Sequence, residues 1–261
     1  MPESNAILSE TRGAVHIVTI NRPHRRNALD APAATALARA FRAFDADNAL
    51  AVAVLTGADG VFCSGFDLKS VAGGAEAPQV VEDGDGPLGV THLLLSKPVI
   101  AAVEGYAVAG GLEVALWCDL RVAAENAIFG VYNRRWGVPL VDGGTIRLPR
   151  IIGQSHALDL ILTGRGVSGQ EALAMGLANR LTPPGQALAT ALALADDLAR
   201  VPQRCLRSDR LSTYEQWSLS WDDAFRNETR RGQEVLGSGE SVEGARRFAA
   251  GHGRHGDSRD I

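Results

Sequence analysis

The sequence predicts an α/β fold. Short β-branched apolar runs alternate with helical periodicities over the first half of the chain, and helices dominate its last third. A strand, a glycine-rich turn and a helix also recur loosely, as successive turns of a β-β-α spiral would require. The chain has 261 residues, 46% hydrophobic and 21% charged, enough to bury a sizeable core.

Val15–Ile20 alternates β-branched and apolar residues and reads as a strand ended by Asn21-Arg22-Pro23. Asp30 is placed to N-cap a helix with Pro32 in its first turn, and Leu37, Ala40, Phe41 and Phe44 then repeat at helical spacing to Asp47. Ala51–Thr56 is a short buried strand closed by Gly57-Ala58-Asp59-Gly60. Gly73–Gly89, rich in Gly, Pro and acids (Glu76, Glu82, Asp83, Asp85), reads as a mobile loop. Pro98–Val103 is a third strand. Gly110-Gly111 opens an apolar helix to Trp117, and Leu120–Ala124 and Ala127–Gly130 are strand-like. Helical patterns follow over Ala157–Leu162, Ser168–Met175, Gln186–Arg200, Leu206–Glu215 and Trp221–Val235, with a polar tail from Gly251 to Ile261 expected to fray.

Several function classes are disfavoured. A net charge of −4 argues against a general nucleic-acid binder. Cys63, Cys118 and Cys205 form no CxxC, which disfavours a disulfide framework and a structural zinc site. The histidines (His16, His24, His92, His156, His252, His255) show no metal-ligand spacing, so no metal is expected. No signal peptide or membrane span is visible, and a soluble cytoplasmic protein is the expectation.

Two segments carry candidate chemistry. In Cys63-Ser64-Gly65-Phe66-Asp67-Leu68 a strand turns around a glycine, leaving backbone N–H groups free for an anion or a carbonyl oxygen; the plainer reading is a simple strand-to-helix turn. In Gly105–Glu113 two glycines open a helix whose N-terminal dipole favours developing negative charge. Glu113 is the only acid in an apolar run. It is either a structural buried carboxyl or a general acid or base. Together the segments fit a two-donor oxyanion hole with a carboxylate beside it, which stabilises an enolate formed from a thioester. Cys63 has no evident His partner and reads as a small buried residue.

Over nearly its whole length the chain resembles the enoyl-CoA hydratase/isomerase family, the crotonase superfamily. The markers are Asn21-Arg22-Pro23 with Asn27-Ala28-Leu29, Phe62–Leu68, Lys97–Ala101, Gly105-Tyr106-Ala107 leading to Gly110-Gly111-Leu112-Glu113, and Cys118-Asp119. Gly143-Gly144-Thr145, Arg147-Leu148 and Leu162–Arg165 complete the set. The resemblance implies a crotonase-like spiral core over residues 1–195 and a C-terminal helical oligomerisation region over 196–261, in a homotrimer or homohexamer. Trp217, Trp221 and Phe225 would pack either in a subunit interface or on their own core.

The resemblance also implies the site. The N–H groups of Phe66 and Gly110 would form the oxyanion hole, and Glu113 matches the family's first catalytic glutamate. The family's second glutamate falls on Asn133, which cannot exchange a proton but can hold water or a carbonyl by hydrogen bonds. Asp142 either caps the helix beginning near Gly143 or turns its carboxylate toward the same pocket. Arg25 and Arg26 would meet the CoA phosphates, with Ser64, Asp67 and Leu68 also along the CoA. Arg134 and Arg135 would favour a polar acyl group or pair across an interface.

The implied activity is hydration of a trans-2-enoyl-CoA to a 3-hydroxyacyl-CoA in fatty-acid metabolism (β-oxidation), with CoA as part of the substrate and no separate cofactor. Because of Asn133, an isomerase or other reaction of the superfamily, or a non-catalytic acyl-CoA-binding protein, are the alternatives.

Overall fold

The computed structural model describes residues 5–73 and 80–253. Part of the expected loop, with Glu76, and the tail from 254, with His255, lie outside the described residues.

Two mixed sheets organise the chain. The first has six strands in the order β1 (Ile7–Arg12), β2 (Val15–Ile20), β3 (Val52–Gly57), β4 (Val99–Val103), β6 (Leu120–Ala124) and β9 (Arg180–Thr182). Only β1–β2 is antiparallel; the other neighbours run parallel. The second sheet joins β5 (Tyr106–Val108), β7 (Ile128–Gly130) and β8 (Gly166–Ser168). Strands β4 and β5, then β6 and β7, pass from the first sheet to the second, so the expected β-β-α spiral is present. The passage from β4 to β5 turns at Gly105, where φ is +54° and a side chain would run into the Gly60 carbonyl.

The period-two pattern explains why the first sheet is buried on both faces. Val18, Ile20, Ala53, Leu55, Val99, Ala101 and Val103 point into one core with Leu37, Phe41 and Phe44 of α1 (Ala31–Ala46) and with most of α3 (Gly110–Trp117). Val15, Ile17, Val52, Val54, Ile100 and Ala102 point into a second core, closed by Ala187, Ala191, Leu194 and Ala195 of α7 (Ala187–Arg200). Helix α7 therefore runs through the expected boundary at residue 195. As read from sequence, Asp30 caps α1, accepting the Ala33 N–H at 3.0 Å. Lys97 closes the other end of α1, donating to the Phe44 carbonyl at 2.9 Å and the Asp47 carbonyl at 2.5 Å.

Ahead of α7 the chain also forms α2 (Leu68–Ala72), α4 (Gly144–Ile152), α5 (Gln154–Thr163) and α6 (Gly169–Ala174). The chain then continues into α8 (Gln203–Glu215), α9 (Trp221–Gly237) and α10 (Glu240–Ala249). Helix α8 is tied to the core through Asp119, which accepts from Arg210 Nε and from the Tyr214 hydroxyl, both at 2.7 Å. Helices α9 and α10 contain no buried residue. Trp217, Trp221 and Phe225 do not pack into their own core: they are 52%, 78% and 53% exposed.

One expectation for the 73–89 loop is corrected at its end. Leu88 is fully buried, and Gly89 approaches the backbone of α1 so closely that a Cβ would strike the Ala34 carbonyl.

Candidate functional site

The site forms where residues 62–68, the start of α3 and the segment 132–142 meet. Residues 62–63 lie along β5: the Phe62 N–H donates to the Glu104 carbonyl and the Cys63 N–H to the Tyr106 carbonyl, each at 2.9 Å. Residues 65–67 are then pinned to Leu29. The Leu29 N–H donates to the Gly65 carbonyl (2.8 Å), and the Asp67 N–H to the Leu29 carbonyl (3.0 Å). The Phe66 N–H lies between these bonds and finds no acceptor among the described residues. The Gly110 N–H, at the first position of α3, is likewise unspent among them.

The two amides are held together by tight local geometry. Gly65 has φ +89°, and a Cβ built on it would sit 2.6 Å from Gly110 N. Ala109, just before α3, adopts φ +54° and ψ −128°, a conformation that a residue with a Cβ rarely takes. A Cβ at Gly111 would strike the Cys63 carbonyl, so the α3 turn can pack here only as glycine.

A cavity of about 210 Å³ opens in front of these amides. Its walls include Phe66, Val108, Gly110, Tyr132, Val138 and Val141, and Leu68 and Trp136 reach it with exposed side chains. Glu113, Asn133 and Asp142 bring its polar groups. Glu113 is 2% exposed, and its Oε1 accepts the Asp142 N–H (2.9 Å) and the Gly144 N–H (2.8 Å). Burial, then the Asp142 charge, pushes its carboxyl up to about 7 against the pull of those donors. Asn133 donates through Nδ2 to the Val138 carbonyl at 2.8 Å, a bond that fixes which way its amide faces. Its Oδ1 is buried and finds no hydrogen-bond partner among the described residues.

Asp142 does not cap α4. The cap residue is Gly143, with φ +91° and no side-chain cap bond. Asp142 instead turns inward, where its Oδ1 accepts the Leu88 N–H at 3.0 Å and the Thr91 hydroxyl. Burial raises its carboxyl too, opposed by the Thr91 and Leu88 donors.

Of the residues expected along CoA, Arg26, Ser64 and Leu68 line the cavity, and Arg25 and Asp67 do not. Asp67 is buried against Arg22 at 3.3 Å, and Arg25 Nε lies 3.9 Å from it. Burial pushes the Asp67 carboxyl up, but the Ser70 donors and the Arg22 charge outweigh it and hold the carboxyl below its ordinary range. Arg134 and Arg135 turn toward α5, donating to the carbonyls of Ile161 (3.1 Å) and Gly164 (3.3 Å). Cys63 is buried and its thiol is pushed up to about 12, consistent with an inert residue.

Tyr132, Trp136 and Val138 were not singled out by sequence reasoning, although their adjacency to Asn133 was a usable signal. Leu88 and Thr91 carried no such signal, because only the folded chain brings them to Asp142. No group of three or more His, Cys, Asp or Glu among the described residues is placed to hold a metal ion. No helix among them is long and apolar enough to cross a membrane.

Two unspent amides, one of them at the start of α3, an apolar cavity and a buried carboxyl of raised pKa define a site suited to holding negative charge on an oxygen. The comparisons agree with that class. The enoyl-CoA hydratase/isomerase family model matches residues 10–250, and the chain belongs to this family. It is 39% identical over 246 residues to the enoyl-CoA hydratase EchA19 of Mycobacterium tuberculosis, covering 93% of this chain and 92% of that protein. It is 38% identical over 198 residues to a carnitinyl-CoA dehydratase of Proteus mirabilis, covering 75% of each. The crystal structure of an enoyl-CoA hydratase from M. tuberculosis superposes with a TM-score of 0.89 at 40% identity, covering 94% of this chain and 96% of that one.

Proposed function

We propose that the protein is an enoyl-CoA hydratase, adding water across the C2=C3 bond of a trans-2-enoyl-CoA to give a 3-hydroxyacyl-CoA. The observation that carries this reading is the pair of unspent N–H groups on Phe66 and Gly110, which face one cavity with Glu113. The thioester carbonyl oxygen accepts both N–H groups, which draws electrons from C3 and stabilises the enolate that forms as water adds. Removing one such donor in other enzymes costs about 10²–10³ in kcat. Glu113, poised near neutrality, delivers a proton to C2 and is recharged by the proton that the water gives up. Asn133 Oδ1 accepts one O–H of the attacking water, which satisfies its unpartnered oxygen.

CoA enters as part of the substrate, and the chemistry calls for no separate cofactor. Arg26, Ser64 and Leu68 border its path, Arg25 stands beside them for a phosphate, and Asp67 orients Arg22 and Arg25. We extend this to a catalytic core that continues through α7 to Arg200, and to a C-terminal helical region after it that assembles trimers or hexamers through its exposed aromatic residues. It places the protein in the cytoplasm, in fatty-acid β-oxidation. The second reading, another reaction of the superfamily or acyl-CoA binding alone, is favoured by Asn133 standing where the resemblance implies a second glutamate.

The test is incubation with trans-2-enoyl-CoA thioesters in water labelled with ¹⁸O, followed by mass analysis. Label on C3 of a 3-hydroxyacyl-CoA supports hydration. A shifted double bond without label, or release of free CoA, contradicts it in favour of isomerisation or hydrolysis.

A further inference from the structure

We propose that Asp142 is a catalytic carboxyl of this site, working with Glu113 in proton transfer and supplying the second acid that position 133 lacks. The proposal rests on the hydration reading above.

Asp142 is 1% exposed, yet it forms no salt bridge among the described residues. Nearby Arg147 gives its Nη1 to the Asp142 main-chain carbonyl at 3.2 Å and its Nη2 to the Thr91 carbonyl at 2.6 Å. A buried carboxyl without a counter-ion is costly to keep, and its expected role as a helix cap is not filled. The residue lines the cavity shared by Glu113, Gly110 and Phe66. The Leu88 and Thr91 donors fix its Oδ1, while its other oxygen takes no hydrogen bond among the described residues. Its own N–H donates to Glu113 Oε1, which places the two carboxyls on one scaffold. The charge of one such carboxyl raises the cost of ionising the other, so one of the pair holds its proton to higher pH. The other titratable groups around the pair are His92, Arg147 and Cys63.

The step balances without a further reagent. As the water oxygen bonds to C3, its proton passes to the Asp142 carboxylate. The C2=C3 electron pair moves to form the enolate, whose oxygen is held by the Phe66 and Gly110 N–H groups. The Glu113 carboxyl delivers its proton to C2 and the thioester carbonyl reforms. The proton on Asp142 then passes to Glu113, which restores the starting state with one water added.

The test is Asp142→Asn, assayed for hydration of crotonyl-CoA across pH, with butyryl-CoA as the binding probe. The expected result is a fall in kcat of about 10²-fold or more. One limb of the pH profile is lost, and butyryl-CoA affinity stays within about threefold. A kcat within about tenfold of wild type with an unchanged pH profile overturns the proposal. If Asp142→Asn does not fold, Asn133→Glu in the otherwise wild-type chain decides. A third carboxyl beside a working pair lowers kcat, and a rise shows that the second acid was missing. A wild type that binds enoyl-CoA but adds no water defeats the hydration reading itself, and the proposal with it. An active wild type with an equally active Asp142→Asn defeats the proposal alone.

Discussion

Replacing Glu113 by Gln should stabilise the protein, and only at high pH. In the folded chain burial and the Asp142 charge lift the Glu113 carboxyl from an ordinary 4.5 to about 7. Below about pH 4 the folded and unfolded chains both hold its proton, and the site costs nothing. Between 4.5 and about 7 the unfolded chain ionises while the folded chain keeps the proton, so wild-type stability falls as pH rises. Above that range the full penalty applies, about 3 kcal/mol at about 1.4 kcal/mol for each tenfold change. Glutamine does not ionise, and its Oε1 accepts the same Asp142 and Gly144 N–H groups. The assay is urea unfolding of wild type and Glu113→Gln at about pH 4 and pH 8.5, at one fixed protomer concentration. The two should match at the lower pH, with the variant ahead by up to about 3 kcal/mol at the higher. A difference independent of pH, or a variant weaker at pH 8.5, would refute the reasoning.

Three further outcomes follow from the same geometry. Gly111→Ala puts a methyl on the Cys63 carbonyl, and because backbone cannot move aside cheaply it should lower stability by about 3 kcal/mol or more in thermal unfolding. Asp67→Asn takes one carboxylate, at 3.3 Å, from the buried Arg22 guanidinium, which keeps Asp30 at 2.5 Å, and should cost about 1–3 kcal/mol at pH 7. Because the Asp67 carboxyl titrates below its ordinary range, its contribution is present at neutral pH and lost as pH falls below about 4, so the gap to wild type should narrow there in urea titrations. Arg26→Ala should raise KM for an enoyl-CoA about tenfold, with a smaller effect on an enoyl-pantetheine thioester that has no phosphates, measured by steady-state kinetics.

Much of the fold was legible because its strongest signals are local. The apolar runs of β2, β3 and β4, the Asp30 cap and the Gly110-Gly111 pair each declare themselves within a few residues. Strand β1 does not: five of its six residues are exposed, and only antiparallel pairing with β2 makes it a strand. Strands β5, β8 and β9 span three residues each, too few for a period to show. Helix α4 was legible at its start near Gly143, though Pro149 lies inside it. At the site, Phe66, Gly110 and Glu113 sit on segments whose glycine content marks close backbone approach. The orientation of Asp142 was not legible. A helix cap and a cavity wall are both open to an Asp before two glycines, and the choice is made by Leu88 and Thr91, about fifty residues away.

The central claim is that two backbone amides and Glu113 turn over an enoyl thioester, and loss of the conjugated-enoyl absorbance of crotonyl-CoA tests it most directly. Purified wild type should consume the absorbance, and Glu113→Gln should do so about 10²–10⁴-fold more slowly while still binding the thioester. Binding by wild type without any loss of absorbance, or turnover undiminished in Glu113→Gln, would contradict it.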